Sequence, residues 1–186
     1  MGRLPRFDRR TVLRAGLDLA DEHGLDAVTM QAVAGRVGVT PMALYRQVAS
    51  KADLLDGLVE LLLTEVAMPA AGLPWQDRLG AMAAGLRQVA HRHPAVFPLL
   101  LRRPATTRES LRARAAAYRA LAQAGVPPDR IASVERLVST AILGFLVSEA
   151  GGRLAHHPRG VLDEDFGRLQ DLLAGFIASE SGARPG

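Results

Sequence analysis

Apolar residues recur along the chain at the three- and four-residue spacing that is typical of amphipathic helices. No stretch of comparable length shows the alternation that would predict a strand. Glycine and proline separate the periodic segments, and alanine, leucine and arginine, which favour helices, dominate within them. We therefore predict an all-α fold, in which a small three-helix domain precedes a larger helical domain.

Three helices are expected in the first fifty residues. The first covers about residues 11–23. The second begins after Thr29, whose hydroxyl can cap it, and is broken by Gly38. The third covers residues 41–48, with Pro41 in its first turn, where a missing N–H is tolerated.

A long fourth helix starts at the S-x-x-D capping box formed by Ser50 and Asp53. Further helices are expected over about residues 75–93, just after 94, and over 107–123, 128–153 and 161–180. We therefore divide the chain into a first domain, residues 1–50, a connecting helix, residues 51–66, and a second domain, residues 67–186.

Residues 29–51 have the spacing of two short helices joined by a tight turn at Gly38. Ala34 is small enough for the helices to approach each other, and Leu44 and Val48, four residues apart, can both face inward. This is helix-turn-helix geometry, in which the N-terminal part of the second helix enters the major groove of DNA. A helical hairpin that does not bind DNA is the alternative.

The outward residues suit contact with DNA. Arg46 can pair with guanine and Gln47 with adenine, while Met42 and Ala43 can contact a thymine methyl group. Pro41 lies at the same N-terminal end. Phosphate oxygens can be bound by Thr29, Thr40, Tyr45 and Lys51, and the N-terminus of the fourth helix favours phosphate as well.

The series Gly38-Val39-x-x-x-Ala43-Leu44-Tyr45-x-x-Val48-x-x-Lys51, followed by Leu54-Leu55, resembles the tetracycline-repressor (TetR) family of transcriptional regulators. The resemblance implies that Tyr45 and Lys51 contact the DNA backbone. It also places Gln31, with Ala43, Arg46 and Gln47, where family members touch bases or nearby phosphates. The implied function is transcriptional regulation, with repression favoured over activation.

A looser resemblance to the same family extends to about Gly152 and implies that two long C-terminal helices form a four-helix bundle between two subunits. The first would present Ile131, Val134, Leu137, Val138, Ala141, Ile142 and Phe145, and the second Leu162, Phe166, Leu169, Leu172, Leu173 and Phe176. A homodimer on a palindromic DNA site is therefore expected. The alternative is that both apolar faces pack inside one chain.

A cavity for a small-molecule effector is expected among the helices of the second domain, lined by Met82, Leu86, Val89, Phe97, Leu100, Tyr118 and Ile142. Such cavities are mostly apolar. Tetracycline repressors bind a magnesium chelate with a histidine just before an Arg-Pro loop, where this chain has Leu99–Leu101. Their other polar anchors fall on Thr64 and Met82. We therefore expect a different, largely apolar effector, and no metal or cofactor.

Composition adds limits to this interpretation. The net charge of +4 permits binding to DNA, although 22 of the 23 basic residues are arginine, which a GC-rich genome would also produce. The absence of cysteine excludes disulfides and thiolate zinc sites. We see neither a secretory signal nor an apolar run of the roughly 20 residues that a membrane span needs, and we expect a cytoplasmic protein.

Two other functions are compatible with parts of the sequence. An enzyme would depend on His156 and His157 with Asp163, Glu164 and Asp165, which could bind a metal or exchange protons. Adjacent histidines in a loop point apart, however, and we see no nucleotide-binding or nucleophile motif, so no catalytic activity is expected. The third possibility is a module that sequesters a small molecule without regulating DNA.

Overall fold

The computed structural model describes residues 8–70, 72–103 and 107–182. Within these ranges the secondary structure is helical and there is no strand, which confirms the all-α prediction. The α-helices are α1 (Arg9–His23), α2 (Met30–Val37), α3 (Pro41–Leu44), α4 (Lys51–Glu65), α5 (Trp75–Arg92), α6 (Leu99–Arg102), α7 (Arg108–Gln123), α8 (Pro128–Ala150) and α9 (Arg159–Glu180).

The first helix begins two residues earlier than its apolar pattern indicates. The cause is Asp8, whose carboxylate accepts a hydrogen bond from the Thr11 N–H at 2.8 Å and so caps the helix. At its other end α1 stops at Gly24, which has a φ of 83°. A single 3₁₀ turn, Leu25–Ala27, then leads into α2 and was not predicted.

The third helix is shorter than predicted. Its α-helical part ends at Leu44, and the next residues wind as a tighter turn in which Arg46 N donates to Ala43 O and Gln47 N to Leu44 O. Arg9 of α1 also donates to Gln47 O, at 2.9 Å, which holds this turn from outside. The prediction of one continuous α-helix over residues 41–48 was therefore wrong in its last turn.

The helices α1 and α4 approach each other closely at Gly57. A Cβ atom on this glycine would overlap Cδ2 of Leu13, so a larger residue would force the Leu13 side chain to move. Leu17, Leu54 and Leu58 are fully buried beside this contact. The two helices therefore depend on a residue without a side chain at position 57.

The core continues from the first domain into the second. One cluster of buried residues runs from Val12 of α1 through Leu62 of α4 to Leu146 of α8. The helix α4 therefore belongs to both domains, because it packs both on α1 and on the helices of the second domain.

An ion cluster joins three helices of the second domain. The guanidinium of Arg87 on α5 donates to the carboxylate of Glu149 on α8, at 2.9 Å from Nε, and lies 2.8 Å from that of Asp163 on α9. Burial alone would raise the pKa of Glu149, but the hydrogen bond from Arg87 holds it below its usual value. The same guanidinium lies 4.8 Å from the centre of the Phe166 ring.

The last two helices differ slightly from their predicted bounds and leave apolar surface uncovered. The helix α8 ends at Ala150 instead of Arg153, because a turn with Gly152 at φ 80° follows, and α9 begins at Arg159, which is earlier than predicted. Leu137 is 55% exposed and Leu172 is 71% exposed. Of the described helices, α8 alone has the length and composition of a membrane span, and 17% of its most apolar stretch is buried. Pro104, in the predicted Arg-Pro loop, and the tail after Gly182 lie outside the described residues.

Candidate DNA-binding surface and ligand cavity

The turn between α2 and α3 is built on Gly38. Its φ of 75° is the left-handed conformation that ends many helices, and the N–H of Val39 then donates back to Ala34 O at 3.0 Å. Val39 packs against the core, as do the fully buried Val33 and Leu44. The geometry is that of a helix-turn-helix, with α2 as its first helix and residues 41–48 as its second.

Two threonines start these helices, and they are also candidate phosphate contacts. The hydroxyl of Thr29 accepts from the N–H of Ala32 at 3.1 Å, and that of Thr40 accepts from the N–H of Ala43 at 3.2 Å. Both threonines are exposed. A hydroxyl that caps a helix can still donate its own proton to a phosphate oxygen.

The predicted DNA contacts are all exposed or half-buried in the structure. Those that are exposed are Thr29, Gln31, Thr40, Pro41, Met42, Tyr45, Arg46 and Lys51, and those that are half-buried are Ala43 and Gln47. Met42 is 76% exposed, which is unusual for an apolar side chain and is explained if it contacts an apolar group of a partner. Leu44 and Val48 are fully buried on the opposite side of the same segment.

The start of α4 is fixed by a network that sequence analysis described only in part. The hydroxyl of Ser50 accepts from the N–H of Asp53 at 3.1 Å, as predicted, but the Asp53 carboxylate accepts from the N–H of Ala49, at 2.7 Å, instead of closing the box on Ser50. Asp53 is also paired with Arg9 at 2.6 Å. The hydrogen bond from Arg9 lowers the pKa of Asp53. The network fixes the start of α4, with Lys51, next to residues 41–48, which we call the recognition segment.

A second pair fixes α2 against α1. Arg36 donates to both carboxylate oxygens of Glu22, at 2.8 Å to Oε1, and this hydrogen bonding lowers the pKa of Glu22. Together with the pair between Arg9 and Asp53, it ties α1 to the two helices that flank α3.

The second domain contains a cavity of about 460 Å³ among α4, α5, α7 and α8. This volume is in the range of sites for small organic molecules. The apolar part of its lining includes Val59 and Leu63 of α4 and Leu143 of α8. Leu100 and Leu101, which directly precede Arg102 and Arg103, both line the cavity.

Five of the seven predicted ligand contacts line this cavity: Met82, Leu86, Leu100, Tyr118 and Ile142. Val89 and Phe97 do not line it. They are 2% and 0% exposed and pack in the main core. The physical reason is that α5 has two inward sides: Met82 and Leu86 line the cavity, whereas Val89 lies in the main core cluster.

The cavity also has polar lining residues that sequence analysis did not assign to it. They are Arg103, Ser110, Arg114, Glu135, Arg136, Ser139 and Thr140. Arg103 also reaches α4, where its guanidinium donates to the Asp56 carboxylate and, at 2.9 Å, to Ala52 O in the first turn. One side chain therefore touches both the cavity and the start of the helix that follows the recognition segment.

The histidines lie in different surroundings. His156 and His157 are exposed, with ring centres 4.1 Å apart, and the described residues contain no group of three or more side chains placed to hold a metal. His91, on α5, lies 3.2 Å from Glu149 of α8. His93 is buried between Asp21 and Glu65. The burial of His93 was not predicted.

Two family models match the chain. Residues 12–58 match the model described as bacterial regulatory proteins, tetR family, and residues 68–175 match the tetracyclin repressor-like C-terminal domain. Together these matches cover the helix-turn-helix and the domain that contains the cavity.

Individual relatives agree with the family models. The chain is 31% identical over 187 residues to the class A tetracycline repressor of transposon 1721 from Escherichia coli, covering 98% of this chain and 85% of that protein. It is 29% identical over 147 residues to an HTH-type transcriptional regulator of Saccharopolyspora erythraea, covering 78% of this chain but only 62% of that longer protein. A TetR protein of Acinetobacter baumannii, solved in complex with minocycline, superimposes with a TM-score of 0.81 at 27% identity, covering 95% and 100% of the two chains.

Proposed function

The chain belongs to the tetR family of bacterial regulatory proteins, and we propose that it is a ligand-responsive repressor that binds a palindromic operator as a homodimer. The class A tetracycline repressor, which aligns with 98% of this chain, is named as a repressor. A regulator of this kind acts by occupying DNA, so the proposal includes no catalytic step, and its place of action is the cytoplasm.

The exposed recognition segment supports DNA binding. Arg46 and Gln47 can read base edges, while Tyr45 and Lys51 can hold the phosphate backbone. The single observation that carries the proposal is the helix-turn-helix, whose second helix exposes Tyr45 and Arg46 while Leu44 beside them is fully buried.

The uncovered faces of α8 and α9 support the homodimer. Leu137 and Leu172 are both more than half exposed in the single chain. Large apolar side chains in such positions mark an interaction surface. A two-fold symmetric dimer would cover these faces and present two recognition segments to two half-sites.

The position of Arg103 supports a route from the cavity to DNA. Its guanidinium lines the cavity and holds Asp56 and Ala52 of α4. An effector with a hydrogen-bond acceptor would compete for this guanidinium and loosen the start of α4, next to Lys51. Such an effector binds the arrangement in which Arg103 has left α4 better than the arrangement in which Arg103 holds it. DNA must then lower the affinity for the effector by the same factor by which the effector lowers the affinity for DNA.

Selection of bound sequences from a random DNA pool tests the central claim. We expect inverted repeats whose half-sites lie about one helical turn, roughly 35 Å, apart or at a modest multiple. A selected site without a dyad, or a monomer at the concentration where DNA binds, would contradict the homodimer.

Two substitutions separate base reading from phosphate binding. Arg46→Ala is expected to weaken the selected site by about 1–3 kcal/mol and to relax preference at one position. Lys51→Ala should weaken all sequences about equally and make the dependence on salt shallower. Competition titrations with point-mutated sites measure both effects. Uniform weakening by Arg46→Ala would show that Arg46 binds phosphate instead.

The cavity is tested with the fluorescent probe anilinonaphthalene sulfonate, which combines apolar rings with an acidic group. We expect the wild-type chain to bind it and Leu86→Trp, which fills the cavity, to bind it at least about tenfold more weakly. Leu111→Trp, at an exposed position of α7 that does not line the cavity, is the control. Equal binding by wild-type protein and Leu86→Trp would place the probe elsewhere and leave the cavity without support as a ligand site.

A further inference from the structure

A buried histidine joins the two domains at a point distinct from the ligand cavity. His93 directly follows α5 and is 5% exposed. Its Nδ1 lies 2.7 Å from Oδ2 of Asp21 on α1, and its Nε2 lies 3.2 Å from Oε2 of Glu65 at the end of α4. We call these three side chains the histidine bridge.

The chemistry of the partners defines what the bridge requires. An ionised carboxylate only accepts hydrogen bonds, whereas a neutral imidazole carries a single N–H and an imidazolium carries two. His93 can therefore donate to both Asp21 and Glu65 only in its charged form. When the ring loses a proton, one carboxylate faces a nitrogen lone pair and that arm of the bridge is lost.

The Glu65 arm is reinforced by two arginines. Arg92 donates to Oε2 of Glu65 at 2.6 Å, and Arg14 of α1 donates to Oε1 at 3.3 Å. Burial alone would raise the pKa of Glu65, but the hydrogen bonds from Arg92 and His93 bring it below its usual value. Glu65 therefore stays ionised near neutral pH.

The environment of Asp21 favours the protonated form of its carboxyl group. Burial raises the pKa of Asp21, the hydrogen bond with His93 opposes the rise, and repulsion from Asp18 and Glu65 adds to it. Asp21 is therefore protonated more readily as the pH falls than a solvated aspartate is. A bridge with both hydrogen bonds requires an ionised Asp21 and a His93 ring that carries two N–H groups.

The location of the bridge gives it a consequence for DNA. Asp21 belongs to α1, which is tied to α2 by Glu22 and Arg36 and to the start of α4 by Arg9 and Asp53. His93 belongs to the second domain. The bridge is thus a polar tie between the two domains, added to the apolar contacts of α4.

We propose that His93 is a positioning residue for DNA binding: its imidazolium holds α1 against the end of α5 and fixes the orientation of the helix-turn-helix, so that operator affinity falls when the ring loses its charge. This inference rests on the proposed DNA-binding function. It adds a dependence on protonation that the ligand cavity does not supply.

The test measures affinity for the selected DNA site between about pH 6 and pH 8.5 at constant ionic strength, because salt alone changes affinity. We expect the wild-type protein to bind about tenfold more weakly at the upper end than at the lower end, within the usual size of coupling between sites. His93→Gln cannot titrate and can serve only one arm well. It should bind at all pH values as weakly as the wild type does at high pH.

A matched control and a milder variant keep the result interpretable. His91→Gln removes an exposed histidine two residues earlier and should keep the wild-type profile. Asp21→Asn removes the charge at the partly exposed end of the bridge, and it should also weaken operator binding, which keeps the test valid if His93→Gln folds poorly. A wild-type pH profile in both His93→Gln and Asp21→Asn would overturn the proposal.

Hydrogen exchange gives a readout that does not depend on DNA. Amides of α1 should exchange faster in His93→Gln than in the wild type and His91→Gln, because the tie to the second domain is lost. Unchanged exchange in α1 would overturn the bridge. If the wild type binds no DNA while α1 still responds to His93→Gln, the proposed function fails and the bridge itself stands.

Discussion

The first domain and the C-terminal helix pair bury their apolar residues to very different extents. In α1, seven of 15 residues are buried, including Val12, Leu17 and Ala20. In α8, three of 23 residues are buried, although the helix is rich in isoleucine, leucine and valine. The first domain completes its core within one chain, whereas α8 and α9 need something outside the chain to cover them.

This difference indicates where each part of the molecule gets its stability. Substitutions in the first domain should act on the folding of a single chain. Those on the exposed faces of α8 and α9 should act on association and leave the fold of the chain intact. Three predictions test this division.

The largest effect is expected from charges on the exposed faces. Leu137→Glu combined with Leu172→Glu places four carboxylates in a two-fold symmetric interface, and we expect the dimer to weaken by about 5 kcal/mol. Sedimentation velocity should show monomers with unchanged helix content by circular dichroism. Ala115→Glu with Ala122→Glu, on the exposed side of α7, is the control. A double variant that remains dimeric would place the interface elsewhere.

A smaller effect is expected from a cavity in the first domain. Leu44 is fully buried, so Leu44→Ala should lower the free energy of unfolding by about 3 kcal/mol. Met42, two residues earlier, is 76% exposed, and Met42→Ala should change stability by less than about 0.5 kcal/mol. Urea denaturation measures both. Equal losses would mean that the recognition segment does not face the core as described.

The smallest effect is expected at the start of α4. Asp53→Asn weakens the pair with Arg9 and the bond from Ala49, and should cost about 1 kcal/mol at neutral pH. The pKa of Asp53 is lowered in the folded protein, so its contribution is present above the unfolded-state pKa of about 3.9 and is lost as the pH falls through the folded-state value. Unfolding at pH 7 and at pH 3 should show the gap between wild type and variant closing in acid. Asp171→Asn, on α9, is the control. A gap that persists at low pH would assign the loss to packing.

The structure of the helix-turn-helix could be predicted best from the sequence, because the interactions that determine it join residues close together in the chain. Thr29 and Thr40 cap their helices through bonds that span three residues, and Gly38 closes the turn with its own φ. What was missed there depends on distant partners. The last turn of the recognition segment is tightened while Arg9, 38 residues away, holds Gln47 O.

The second domain was less readable for the same reason. The periodicity of α5 marks both Leu86 and Val89 as inward residues, but only the positions of α7 and α8 decide that Leu86 meets a cavity and Val89 a packed core. The burial of His93 was not predicted, because its partners lie 72 and 28 positions away. Polar contacts between distant residues leave no periodic signal in the sequence.

The close approach of Leu13 to Gly57 packs α1 directly against α4. A helix of 15 residues is about 22 Å long, so a tilt of about 5° near one end moves the other by roughly 2 Å. The cavity touches α4 at Val59, Leu63 and Val66, toward its C-terminal end, and Lys51 lies at the other. In a two-fold dimer the α4 helices of both subunits move together. A small change at the cavity can therefore alter the spacing between the two DNA-binding surfaces by about twice the displacement of one helix end.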